Sequence, residues 1–74
     1  MTTSTYTQRY QVTGMTCSHC VASVTEEIEE LAGVRAVDVD LVVGGASVVT
    51  VTSDQPLRDD AVEDAVAEAG YQLA

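Results

Sequence analysis

Two cysteines stand three positions apart in Cys17-Ser18-His19-Cys20, and the 74-residue chain has no others. Thiols at that spacing can converge on one metal ion or oxidise to a disulfide. A disulfide here would close only a tiny loop and add little to stability. In an intracellular chain the spacing therefore reads as metal binding or thiol redox chemistry. Thiolate is a soft ligand that favours Cu(I), Zn(II) and similar thiophilic ions.

The number of ligands separates these ions. Structural zinc takes four protein ligands, whereas the segment offers two cysteines and the chain's single histidine, His19. Cu(I) is content with two sulfurs, and its unfilled shell lets a third thiolate attack and remove it, so low coordination favours transfer over storage. Imidazole matches Cu(I) less well than thiolate does. His19 is accordingly read as a secondary residue, outside the primary ligand set, whose ionisation near neutral pH can tune release.

The elements that must hold this pair can be read from periodicity. Tyr6 to Thr13 alternates as a strand does, and Gly14 ends it. Val21, Val24, Ile28 and Leu31 recur at intervals of three and four, with Glu26, Glu27, Glu29 and Glu30 mostly on the other side. That pattern predicts an amphipathic helix over 18–32 with Gly33 as its C-cap. Cys17 then lies in a loop and Cys20 in the first helical turn, where unpaired backbone N–H groups favour thiolate over thiol.

Val37, Val39 and Leu41 alternate with Asp38 and Asp40, Gly44-Gly45 supplies a turn, and Ser47 to Thr52 forms a returning strand. In that strand Val49 and Val51 are expected to face inward and Thr50 and Thr52 to face water. Asp54 is placed as a cap and Pro56 in the first turn of a second helix, whose stripe is Leu57, Ala61, Val62, Ala65, Val66 and Ala69. Gly70 ends that helix, and Tyr71 to Ala74 supplies a short last strand. The order βαββαβ predicts an α+β, ferredoxin-like fold over residues 1–74 as a single domain, a four-stranded antiparallel sheet with two helices on one face.

With the loop placed, Gly14-Met15-Thr16-Cys17-Ser18-His19-Cys20 resembles the metal-binding signature of the heavy-metal-associated domain family, in particular its bacterial copper chaperones of CopZ type. The likeness runs over nearly the whole chain, through Ile28, Leu31, Gly33 to Val37, and Ala69-Gly70-Tyr71. It implies that Cys17 and Cys20 are the metal ligands, that Met15 is a buried prop for the loop, and that Tyr71 lies beside the site. It also implies a cytoplasmic protein carrying Cu(I) to a copper-exporting P-type ATPase or to that ATPase's own similar domains. Handing copper to a copper-responsive regulator is a further expectation, as is a monomer without metal that copper can bridge into a dimer. Two departures stand out: the stretch from Leu41 to Leu57 is longer than is common in the family, and lysine, frequent in many relatives, is absent.

Alternatives keep the same cysteines. A thiol-disulfide oxidoreductase would be an enzyme, but an aromatic before the pair is missing and the chain is short for a thioredoxin fold. A mercury or zinc carrier and the metal-binding domain of a transport ATPase are the others. Met1 at the front and an end just after the last strand are read as a free-standing gene product.

Composition bounds the partners. The net charge is −9, from twelve acidic residues against three arginines. That excludes nucleic acid and anionic lipid as partners and suits docking on a basic surface. No basic leader precedes an apolar run, and no stretch of some 18 apolar residues occurs, so a signal peptide and direct membrane insertion are not expected. Phe and Trp are absent, which leaves a thin core of Val, Ala, Leu and Ile with three tyrosines.

Overall fold

A computed structural model describes residues 5–74; the polar lead of residues 1–4 lies outside the described residues. Its elements are β1 Tyr6–Thr13, α1 Ser18–Glu29, β2 Val34–Asp40, β3 Ala46–Ser53, α2 Asp59–Glu68 and β4 Gln72–Leu73. The sheet order is β2-β3-β1-β4 with every pair antiparallel. This is the ferredoxin-like topology that the βαββαβ order predicts.

β1 and β3 form the centre. They pair without interruption from Tyr6 opposite Ser53 to Thr13 opposite Ala46, and this settles the register of the strand that follows the long stretch. Val12, Val49 and Val51 lie on one face and join Val24 and Ile28 of α1 with Val62, Ala65 and Val66 of α2 in a single buried cluster. Thr7, Arg9 and Gln11 alternate onto the opposite, exposed face. Both helices thus cover one side of the sheet and leave the other to water. No helix among the described residues is long and apolar enough to cross a membrane.

The structure corrects the sequence reading at four places. α1 stops at Glu29 with Glu30 as its C-cap, not at Ala32, and Gly33 does not cap it. Instead Val34 N–H bonds to the Leu31 carbonyl at 3.3 Å, and Gly33, at φ +86°, takes the third position of a type II turn into β2. α2 begins only at Asp59, with Arg58 as N-cap, so neither Asp54 nor Pro56 starts it. The cause is Gln8, whose amide accepts from Leu57 N–H at 2.8 Å and donates to the Leu57 carbonyl at 3.3 Å. Leu57 is thereby held like a residue in a sheet and cannot wind into a helix.

Leu41 lies beyond the end of β2. In β3 the buried row contains Ser47 and Ser53 as well as the two valines, and Thr50 and Thr52 are half-buried, because β3 is a central strand. Both buried serines are satisfied. Ser53 Oγ donates to the Gln55 carbonyl at 2.7 Å, and Ser47 holds the backbone of Val42.

Candidate metal centre

The direction of each strand brings three connections to one end of the molecule: Gly14 to Cys17 after β1, Leu41 to Gly45 between β2 and β3, and Gly70-Tyr71 before β4. The cysteines are at this end. Cys17 is the N-cap of α1, extended at φ −157° and ψ 175°, and its carbonyl accepts from the N–H groups of Cys20 and Val21 at 3.1 and 3.2 Å. The two side chains therefore meet at the start of α1, Sγ to Sγ 3.5 Å apart. That distance is well beyond a disulfide of about 2.05 Å, so both are free thiols. Cys17 is exposed and Cys20 half-buried.

The surroundings of Cys20 favour its anion. Its thiol is lowered from the ordinary value of 9.0 to about 6, chiefly by the backbone N–H of Thr16, then by the Tyr71 hydroxyl and by the Cys17 thiol, with burial opposing. The Thr16 hydroxyl is also near, its Oγ1 3.9 Å from the Cys20 sulfur. α1 carries no acidic residue in its first turn, so no carboxylate there competes with the Cys20 thiolate for the positive end of the helix. At neutral pH Cys20 is an anion with an exposed partner thiol alongside.

Tyr71 reaches the site through the way α2 ends. Gly70 is in the left-handed region at φ +93°; its N–H bonds to the Ala67 carbonyl at 2.9 Å, and Tyr71 N–H reaches back to Val66 at 3.0 Å. This pair of bonds is a Schellman motif, and it turns the tyrosine toward the cysteine loop. There its ring covers Gly14: a Cβ on Gly14 would come within 3.4 Å of Tyr71 Cδ1. Such a contact is ordinary; it is the backbone of Gly14, at φ +93°, that calls for glycine at that place. The proximity is mutual, since Cys20 raises the pKa of Tyr71 above its usual 10.0.

Met15 points the other way. It is 1% exposed, the largest fully buried side chain among the described residues, and packs in the core cluster. Its thioether is not available at the surface. His19 is exposed on the first turn of α1. Sequence reasoning thus placed Cys17, Cys20, His19, Tyr71 and Met15 around one loop but missed Thr16, whose contribution comes from a backbone N–H. No side-chain pattern announces such a donor; only its position just ahead of a helix start hints at it.

No group of three or more His, Cys, Asp and Glu side chains able to hold an ion exists among the described residues. A closed four-ligand site is therefore not built from them. The arrangement is an open pair of sulfurs at the edge of the molecule.

The profile of the heavy-metal-associated domain matches residues 9–72. The chain belongs to the heavy-metal-associated domain family. A COP-associated protein of Helicobacter felis is 40% identical over 84% of this chain and 89% of its own length. The copper chaperone CopZ of Bacillus subtilis is 39% identical over 86% of this chain and 90% of its own. A mercuric reductase of Shigella flexneri is 36% identical over 84% of this chain, but only 10% of the reductase is involved. Among solved structures, the N-terminal soluble domains of Bacillus subtilis CopA superpose with a TM-score of 0.75 at 26% identity, covering 99% of this chain and 48% of that one.

Proposed function

We propose that this heavy-metal-associated domain is a copper chaperone that binds one Cu(I) between Cys17 and Cys20 and surrenders it by ligand exchange. The observation that carries the proposal is the pair of free sulfurs 3.5 Å apart, one exposed and the other acidified to about 6. Likeness to a copper chaperone over most of both chains supports the choice of cargo. The two sulfurs leave the ion short of ligands, and this is what delivery needs. An incoming thiolate adds to make a three-coordinate ion and one of the two cysteines lets go; a second thiolate of the acceptor then displaces the other cysteine, and the ion passes on without a change of oxidation state.

The acceptor in this scheme is a copper-exporting P-type ATPase, through its metal-binding domains, with a copper-responsive regulator as a second recipient and the cytoplasm as the setting. The match to the paired N-terminal domains of CopA supports an acceptor built on the same fold. The chain works as a single domain and turns over no substrate. Alone it is a monomer; a two-coordinate ion has room for sulfurs from a second copy, which gives a copper-bridged dimer. His19 and Tyr71 modulate the site, and Met15 supports its loop from beneath.

The test is an anaerobic competition titration against a cuprous chelator, with Hg(II) and Zn(II) in parallel and mass spectrometry of the products. The expected outcome is one Cu(I) per chain, loss of tight binding in Cys17→Ser and in Cys20→Ser, and a modest change in His19→Ala. Wild-type affinity in either serine variant, or tighter retention of Zn(II) than of Cu(I), counts against the proposal.

A further inference from the structure

Three large apolar residues are exposed among those described: Tyr6 at 41%, Val42 at 42% and Val43 at 65%. Two of them form the corner of the β2–β3 hairpin. Gly45 N–H closes a turn on the Val42 carbonyl at 3.3 Å, and Gly44 at φ +81° occupies the third position, while among the described residues only glycines have positive φ. That is a type II turn with Val43 at its outermost position.

The corner is rigid by construction. Ser47, fully buried, accepts from Val42 N–H at 2.8 Å and donates to the Val42 carbonyl at 3.4 Å. A buried hydroxyl is thus committed to fixing an exposed apolar turn, where a polar turn would reverse the chain equally well. An apolar group ordered before contact loses little entropy when it docks.

Its location is the informative part. Thr13 lies opposite Ala46 and Asp40 opposite Val48, so the corner stands at the same end of the sheet as the cysteine loop. β2 is two strands from β1, a lateral offset of roughly 10 Å at about 4.8 Å per strand. A protein reaching for an ion on Cys17 and Cys20 meets Val42 and Val43 in the same approach. We propose that this corner is a docking knob that seats in an apolar hollow on the metal-accepting protein, with basic side chains around that hollow. The inference rests on the delivery role proposed above.

A copper bridge can hold a second copy through its sulfurs, but a second copy is not the occupant that the knob fits. At a net charge of −9 two copies repel, and two valines fall far short of the roughly 800 Å² per partner of a stable interface. The charge beside the knob specifies its acceptor. Asp38 and Asp40 lead into the turn and are exposed, whereas Arg35 and Arg58 stand at the opposite end, paired with Asp54 and Asp60. A surface that receives the valines must also face those carboxylates, which calls for lysine or arginine.

The experiment loads the full chain with Cu(I) and times its transfer to the purified N-terminal soluble domains of Bacillus subtilis CopA and, separately, to a small cuprous chelator. The double variant Val42→Thr with Val43→Thr keeps branched side chains on the turn; amide spectra check its fold. Expected is a loss of about five- to tenfold in rate to the protein acceptor, the scale of one lost apolar contact, with the chelator rate unchanged. Amide signals of residues 42–45 should also shift when the acceptor is added. Equal rates for variant and wild type, an equal slowing with the chelator, or no shift at the corner overturns the knob. Failure of the wild type to hold copper against the chelator overturns the delivery role itself and is seen before transfer is timed.

Discussion

At the scale of single residues, the candidate site is two sulfurs and the donors that make one of them an anion. Cys20 titrates at about 6, so alkylation by iodoacetamide, followed by mass spectrometry of the metal-free protein, should reach half its plateau rate near pH 6 at that residue. Tyr71→Phe removes the second-largest cause and should move the midpoint upward. A midpoint near the ordinary 9.0 in the wild type contradicts the site's electrostatics. A thiol acidified in the folded state adds stability that is fully present above pH 9 and is lost as pH falls through about 6. The cysteines were legible in the sequence because their spacing is a side-chain signal. The N–H of Thr16 was not, since every residue but proline carries one and only the folded backbone aims it.

At the scale of elements, the alternation of β1 and the valines of β3 were readable because a pleated strand repeats every two residues. Helix ends were less so. The start of α2 was misplaced because Asp54 and Pro56 are good local signals, yet Gln8, almost fifty residues away, captures Leu57. Periodicity within a segment carries no trace of such a bond. The early end of α1 has a local component: Glu26, Glu27, Glu29 and Glu30 crowd its C-terminal end, and no basic residue stands in the last turn. Negative charge there opposes the helix dipole. Glu30→Lys should therefore stabilise the protein by about 0.5–1 kcal/mol, seen as a rise of a few degrees in the thermal midpoint for a domain of this size. An unchanged or lower midpoint would mean that the glutamates do not strain the helix.

At the scale of the whole molecule, charge and topology act together. Of twelve carboxylates, Asp54 and Asp60 are matched by arginine, and both of those pairs are exposed and worth little. Self-repulsion then works against the compact state. The thermal midpoint of the metal-free chain should rise as sodium chloride is raised from about 0.01 to 0.15 M, where the screening length shortens from about 30 to 8 Å; a fall would show that attractive pairs dominate. The topology was legible from the order of elements alone, while the meeting of three loops at one end follows from it only once strand directions are drawn.

Met15 belongs to two structures at once. It follows Gly14 in the cysteine loop, yet it is the bulkiest fully buried side chain among the described residues, wedged among the valines that bind sheet to helices. A molecule whose interior has begun to melt cannot keep that anchor seated, and without it the sulfurs drift out of register. On the delivery role proposed above, damaged copies would then let go of Cu(I) early, so that only intact ones travel loaded.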